Sequence, residues 1–597
     1  MKPLAESAPL FGCDAPDRLR YSRLERELLE AVRHHSESEF NRFVLRKNDR
    51  ELARELCFER RNGIQWLPVA KTETVLEIGA GAGALTGAWA DKAARVVAVE
   101  LSPARAAINA IRQRGRDNVE IHAGAFAETE RRLADRKFHV IALIGSLGAA
   151  ADCVGPDGDP RRRLLERLRP RLAAGGRIVV AAPNRFGLKF WAGGAEDDAE
   201  PPFGRLESQA EAAASGALSR AELAQLARDS GFASAVFFYP HPDFRFPSCI
   251  YSDERLPRPG ELGFNAFPWD ARQSQLFQPG KTFDELIREN QFPFFANSFL
   301  AVLAPDAPRA AAADGRRIVY AKFSTMRRPE RRIRTDLLVD ERGAPVIRKS
   351  PTSAAGQAHV DGLQRHFEQL SRLCAGTRFA VNRCERRAGG AEFEFLAGPT
   401  LADEALDRLR RNDRAGFLAA MADFCAAVQA LATEEFRPTA EFRAVFGAVR
   451  LPPGLKSAPV TDVDLILPNL IARDGRWHVI DYEWTFDFPI PVGYVLYRTF
   501  RYLYSYNEWI GRKFGGLHRE LYRLAGIAGD VRRYKRMEWA LQQHLVPRPG
   551  FVQDLAPRRQ LRLRPDRWLP LRNAWRRLPP GMLSWLARAQ AWTSDLP

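Results

Sequence analysis

No run of eighteen apolar residues occurs anywhere in this chain, which excludes a conventional membrane-spanning helix. The opening residues Met1-Lys2-Pro3-Leu4-Ala5-Glu6 lack the apolar core of a secretory signal, so a cytoplasmic protein is expected. Cysteine is scarce and odd in number, seven residues without a Cys-x-x-Cys pair. That pattern argues against a disulfide scaffold or a zinc site and leaves reduced core thiols. No recognised nucleic-acid module is present, so nucleic acid is not an expected partner. Acid is in deficit: 73 Asp and Glu face 90 Lys and Arg, a formal net charge of +17. Arginine-rich usage from a GC-rich genome accounts for such an excess; the functional alternatives are attraction to anionic lipid or to a phosphorylated substrate. At 597 residues the chain exceeds one hydrophobic core, and two to four domains are expected.

What the chain does have is Val75-Leu76-Glu77-Ile78-Gly79-Ala80-Gly81-Ala82-Gly83-Ala84-Leu85-Thr86, an apolar strand running into three alternating glycines and then a helix. A second strand, Arg95-Val96-Val97-Ala98-Val99-Glu100, ends in an acid. This is a βαβ unit whose first turn keeps side chains out of a ligand's way and whose Glu100 could hold a ribose diol. A nicotinamide or flavin dinucleotide is one reading, because Gly79-x-Gly81-x-x-Ala84 with Glu100 about twenty residues on fits the relaxed pattern. S-adenosylmethionine (SAM) explains more residues. The segment resembles motif I of class I methyltransferases, which implies that Glu77, Gly79, Gly81 and Gly83 form the cofactor loop and Glu100 holds the ribose. In that reading Glu77 meets the cationic methionine end of SAM through the loop.

Strands and helices alternate from 72 to about 185, which predicts a parallel sheet. Residues 138–144 read as a fourth strand, 161–169 as a helix and 177–182 as a fifth strand. Residues 17–65 read as a helical lead-in, with Leu24, Leu28, Leu29, Val32, Leu45, Leu52 and Leu56 at helical spacing. The loop after the fifth strand, 183–194, could line a substrate pocket, and the proline-containing aromatic segments 239–247 and 292–298 read as an irregular cap over the sheet. Ala123-Gly124-Ala125-Phe126 stands where many relatives place an adenine-contacting acid, and His139 replaces a common acid at the start of the fourth strand. No methyl-transfer base is identifiable; His122 and Asp197 are guesses.

After a small-residue and proline-rich stretch at 304–315 the pattern restarts with strands at 317–323, 335–339 and 345–349, a helix from about 357 to 373, a strand-like stretch at 391–401 and a helix at 413–433. The order is that of a kinase-like small lobe, hinge and helical large lobe. Asp464, Asn469 and Asp481 have the spacing of a hydroxyl-proton acceptor, a Mg²⁺-holding Asn and a metal-bridging Asp. The segment resembles the aminoglycoside-phosphotransferase pattern (H-G-D-L-x-x-x-N, then x-I-D-x-E), which implies a strand-borne lysine on ATP, here Lys349, paired with a helix glutamate, here Glu368. Two features depart from it: Asp462-Val463 replaces His-Gly, and no glycine-rich loop lies near 321–335, where Lys322, Arg327, Arg328 and Arg331 could touch phosphates instead. A kinase-like fold without phosphoryl transfer is therefore an open alternative.

The combination resembles bacterial methyltransferase–kinase proteins that terminate O-antigen chains, over roughly residues 70–545. The resemblance implies a glycan or glycolipid acceptor, SAM and Mg-ATP. No sustained heptad follows residue 530, so the long coiled coil of that family is missing. Residues 546–597 instead form a basic tail studded with tryptophan, read either as helices packed on the large lobe or as a peripheral contact with an anionic inner-membrane surface. The expected organisation is an extension at 1–70, an α/β Rossmann-like methyltransferase domain at 71–303, a linker at 304–315, an α+β protein-kinase-like domain at 316–545 and the tail. The rival readings are a methyltransferase with a binding module, and an NAD-dependent oxidoreductase.

Overall fold

The computed structural model describes residues 8–12, 19–133, 135–196, 200–201, 203–262, 276–306 and 314–546. Asp197, residues 307–313 of the expected linker and the tail from 547 onward lie outside them. The chain divides into two compact units, one within 1–313 and one within 314–550.

The first unit is built on β1 (Leu10–Phe11), β2 (Thr74–Ile78), β3 (Arg95–Glu100), β4 (Val119–Ala123), β5 (Phe138–Ile144), β6 (Leu172–Pro183), β7 (Ser234–His241), β8 (Cys249–Ser252) and β9 (Ser298–Ala304). Their order across the sheet is β1-β4-β3-β2-β5-β6-β9-β7-β8. β1 to β6 pair in parallel, whereas β9 runs antiparallel between β6 and β7. Val75, Leu76, Val96, Val97, Ile141 and Val180 are fully buried, as expected of strands covered on both faces. The order reverses at β2, so the crevice at its carboxyl end is the topological switch point where open α/β sheets bind ligands.

The aromatic segments expected to be an irregular cap are partly strand: Tyr239, Pro240 and His241 complete β7, and Ser298 opens β9. Pro240 is tolerated because the ladder of β7 with β9 stops at Phe238, leaving Pro240 opposite only Ile250 of β8. The N-terminal segment forms helices Arg23–His34, Phe40–Lys47 and Arg50–Leu56. Ser22 and Glu25 close a capping box on the first, and Asp49 caps the third through the Glu51 and Leu52 amides. Their apolar stripe, including Leu28, Phe43, Leu52 and Leu56, shares one core with Ala82, Ile108 and Phe246.

The second unit opens with β10 (Arg317–Phe323), β11 (Ile333–Val339), β12 (Pro345–Pro351), β13 (Phe379–Val381), β14 (Cys384–Arg387) and β15 (Gly390–Glu394). β10, β11, β12, β15 and β14 form an antiparallel sheet in that order. The helix Gln357–Leu373 packs on it. A mostly helical region follows, with helices Leu401–Arg410, Arg414–Gln429, Val492–Tyr506 and Val531–Leu545 around a core that includes Leu409, Phe417, Tyr494 and Leu541. Among the described residues no helix is long and apolar enough to cross a membrane.

Candidate functional site

In the first unit the glycine loop leaves β2 at the switch point. Gly79, Gly81 and Gly83 all have positive φ (+75°, +55° and +81°), which disfavours any side chain. A Cβ on Gly83 would also stand 2.1 Å from Asn109 Oδ1, and one on Gly79 would stand 2.6 Å from the Ser146 Cβ. Glu100 ends β3 nearly buried, accepting the Gly81 amide at 2.7 Å on one oxygen and the Ser102 amide at 3.0 Å on the other. Burial raises its pKa, while those amides and Arg105 oppose the rise. Each carboxylate oxygen has the lone-pair capacity for a second hydrogen bond, so these contacts leave room for a ribose diol. On these grounds the residues fit SAM.

Glu77 stands on β2 two positions before the first glycine of the loop. Its carboxylate lies buried and accepts the Thr86 hydroxyl at 2.6 Å, and Thr86 in turn accepts Asn109 Nδ2 at 3.0 Å. Burial pushes its pKa from 4.5 up to about 7. The folded chain therefore holds a proton that the unfolded chain releases between those values, and stability falls as pH rises through that window. The loss is on the order of 3 kcal/mol once pH exceeds the folded value. Glu77→Gln keeps the Thr86 bond and removes the titration. Its thermal midpoint is expected to match the wild type near pH ~5 and to exceed it near pH ~8. An equal offset at both pH values would show that Glu77 does not titrate in this window.

The carboxyl edge of β6 and β7 carries a buried ionic network. Lys189 Nζ lies 2.8 Å from Glu196 Oε1 and 3.2 Å from Asp243 Oδ2, and Arg245 bridges the same two acids at 2.8 and 3.4 Å. Arg205 joins Glu196 at 3.3 Å. Burial alone would raise Glu196, but Arg245, Lys189 and Arg205 outweigh it and hold the carboxyl well below its ordinary range. Asn184 binds the Phe294 and Ala296 carbonyls, each at 2.7 Å, and Asn297 Nδ2 donates to the Pro242 carbonyl at 3.0 Å. The loops 184–189, 242–245 and 294–297 are thereby fixed as one rim. His122, by contrast, stacks on Phe11 and pairs with Glu120 at 2.7 Å. His139 bonds the Thr74 amide at 3.1 Å, at the amino end of the sheet.

In the second unit, Lys349, Asp464, Asn469 and Asp481 converge. Lys349, on β12 and 5% exposed, donates to Asp481 Oδ1 at 2.7 Å and lies 3.7 Å from Glu483 Oε2. Burial would lower its pKa, yet Asp481 and Glu483 raise it above the ordinary lysine value. Asn469 Nδ2 donates to the Asp464 carbonyl at 2.9 Å, which leaves its side-chain oxygen as the outward group. With the Asp481 side chain 45% exposed, two oxygen donors are available for Mg²⁺, a count that suits an ion also held by substrate phosphates. Among the described residues no cluster of three or more His, Cys, Asp or Glu could hold a metal without such help.

Glu368 is not the partner of Lys349: it is exposed and accepts from Gln364 at 3.2 Å. Glu483 takes that place, contacted by His359 Nε2 of the helix at 2.7 Å and by Arg327. Burial is overcome by Arg327, Lys349 and His359, which keep Glu483 well below its ordinary range. Of the four expected phosphate contacts Arg327 pairs with this cluster directly, and Arg331 lies beside it over the Trp484 ring at 5.6 Å. Lys322 is exposed on β10, Arg328 binds the His544 carbonyl at 2.9 Å, and Arg331 lies 3.3 Å from His544 Nε2. Asp464 itself is held by Arg498, whose Nη2 donates to Oδ1 at 2.5 Å. Burial raises the Asp464 pKa even against this arginine. Asp462, where the pattern expects histidine, is buried and accepts the Asp464 amide at 2.9 Å. Glu483 was present in the quoted x-I-D-x-E signature; Arg498 carried no spacing signal.

Residues 76–178 match the family model described as a methyltransferase domain, so the chain carries such a domain there. Among solved structures, the putative methyltransferase in complex with the Trm112 activator from Haloferax volcanii is 18% identical, over 49% of this chain and 100% of that one, with a TM-score of 0.26. The CcbJ methyltransferase from Streptomyces caelestis is 16% identical, over 42% and 90%, with a TM-score of 0.26. Precorrin 8w decarboxylase from Methanobacterium thermoautotrophicum is 23% identical with a TM-score of 0.18, over 21% of this chain and 63% of that one. No protein of curated function matches the chain.

Proposed function

We propose that the first unit transfers a methyl group from SAM and that the second binds Mg-ATP and phosphorylates the same acceptor, a bacterial glycan or glycolipid. The observation that carries the first part is Glu100, set at the tip of β3 against the Gly81 amide, where the strand order reverses. The methyltransferase-domain match over 76–178 supports it. An NAD enzyme is disfavoured because the dinucleotide sheet continues with a sixth parallel strand, whereas here β9 enters antiparallel between β6 and β7.

SAM supplies an electrophilic methyl group, so the protein's work is to hold the acceptor in line and exclude water. Gly79, Gly81, Gly83 and Glu100 would hold the cofactor. The rim fixed by Asn184, Asn297 and the Lys189–Glu196–Asp243–Arg245 network would position the acceptor. In the second unit Asp481 and the Asn469 oxygen would hold Mg²⁺, Lys349 would meet the nucleotide phosphates, and Asp464 would take the hydroxyl proton. The acceptor class follows from the family resemblance and from the pairing of the two sites on one chain. Peripheral contact of the basic tail with an anionic membrane belongs to the same proposal, as does a cytoplasmic location. A second reading, nucleotide binding without transfer, is favoured by the Arg498–Asp464 pair, since the buried guanidinium occupies Oδ1 of the carboxylate that would have to take the hydroxyl proton.

Calorimetric titration of the full chain with SAM and, separately, NAD is the first test. SAM is expected to bind at micromolar concentration or below, about −8 kcal/mol or better. Tight NAD binding with no SAM binding would overturn the reading.

A further inference from the structure

The carboxylate on the outer side of the glycine loop comes from the N-terminal helices. Glu55, near the end of Arg50–Leu56, accepts the Ala82 amide at 3.2 Å through Oε2. The same oxygen lies 3.1 Å from where a Cβ on Gly81 would stand, so the space opened by that glycine faces Glu55. The adjacent Gly81 amide is bound by Glu100, so two consecutive loop amides carry two different carboxylates. The Glu55 side chain is 18% exposed, whereas Glu77 as a residue is only 4% exposed.

Holding the helix does not require this carboxylate. Arg112 Nη1 donates to the Glu55 backbone carbonyl at 2.7 Å, and Leu52, Ala53 and Leu56 anchor the helix in the core shared with Ala82. Arg105 pairs with Glu55 at 3.6 Å but is 36% exposed, so that pairing is weak, and the buried Arg60 and Arg112 also act on the Glu55 charge without an ion pair to its carboxylate within 4 Å among the described residues. Glu55 thus presents a negative charge at the surface of the loop that accommodates the ligand.

We propose that Glu55 is a positioning and selectivity residue of the SAM site, complementing the net positive charge of the cofactor at the glycine loop. The inference rests on the SAM reading above and extends it. SAM carries one more positive charge than S-adenosylhomocysteine, the product left after methyl transfer, because only the former has a sulfonium. A carboxylate at this place therefore favours cofactor over product and speeds product exchange.

The test is calorimetric titration of wild type and Glu55→Gln with both ligands. Glutamine retains the length and an oxygen for the Ala82 amide while removing the charge. SAM affinity is expected to fall about tenfold and S-adenosylhomocysteine affinity less than about threefold, the difference expected for one partly screened charge pair. Retained product binding certifies that the variant is folded. Equal loss for both ligands would reduce Glu55 to a loop support, and unchanged or tighter SAM binding would exclude the proposed role; either overturns the inference. Failure of the wild type to bind SAM would instead overturn the methyltransferase reading on which it stands.

Discussion

Asp481→Asn is expected to weaken Mg-ATP binding to the full chain by at least about a hundredfold, while SAM binding stays unchanged. The reason is electrostatic. Asp481 is the half-exposed carboxylate of the cluster and also the acceptor of the Lys349 ammonium at 2.7 Å. A neutral amide withdraws the only formal charge available to Mg²⁺ from the Asp481 and Asn469 pair, and a hard divalent cation depends on charged oxygen. It also leaves buried Lys349 with Glu483 alone at 3.7 Å, so the group meant for the phosphates loses its orientation. Glu368→Gln serves as a control and should leave nucleotide binding intact, because Glu368 is exposed and bonded to Gln364. Calorimetry with Mg-ATP reads both variants. Wild-type affinity in Asp481→Asn would remove the assigned role.

The second large effect is on stability. Replacing Arg498 with methionine should destabilise the second unit by about 3–5 kcal/mol, the range for removing one partner of a buried ion pair. Arg498 is 3% exposed and its guanidinium serves Glu538 at 2.6 Å, Asp464 at 2.5 Å and the Val463 carbonyl at 2.9 Å. Glu538 is also buried and accepts the Tyr494 hydroxyl at 2.8 Å, so it cannot turn to water when the arginine is lost. Lysine should recover only part of the loss, because an ammonium cannot reproduce the three-way fork. The pH dependence has a definite sign. Against its burial, Arg498 holds the Glu538 pKa below the ordinary 4.5, so the stability it confers is full above that value and fades as pH falls. The deficit of Arg498→Met should therefore shrink in acid. Differential scanning calorimetry of the full chain, with the transitions of the two units followed separately, checks both the size and the trend. A shift below about 1 kcal/mol at neutral pH would mean that the fork carries no net stabilisation.

The parts of this molecule legible in its sequence are those where burial and spacing coincide. Residues 95–100, 138–144, 317–323 and 357–373 form the expected elements with the expected ends, because their apolar period matches the face they bury. The glycine loop was equally plain, since positive φ at 79, 81 and 83 leaves few alternatives to glycine. Other features depend on contacts that no spacing records. Glu55 reaches the loop from a separate helix, and Arg498 is 34 positions from Asp464. Glu368 was chosen by being acidic and helical, but in the fold it bonds Gln364 in solvent, and His359 is the helix residue on Glu483. Glu77 carries a bond from the Thr86 hydroxyl that the glycine pattern does not announce. The ends of β7 and β9 were obscured by proline, which signals a break unless its ladder partner is known.

The helices before β2 look in the sequence like a removable preface. Their shared core with Ala82, Ile108 and Phe246 gives them a different standing. A shortened protein beginning near residue 70 would not be the same enzyme with a handle cut off. It would have a raw apolar wound beside its glycine loop, one arginine, Arg112, stripped of Glu37 and the Glu55 carbonyl, and a strong tendency to stick to itself. The folded core extends well ahead of the residues that match the methyltransferase-domain model, and any excised version has to begin before Ser22, where the capping box closes.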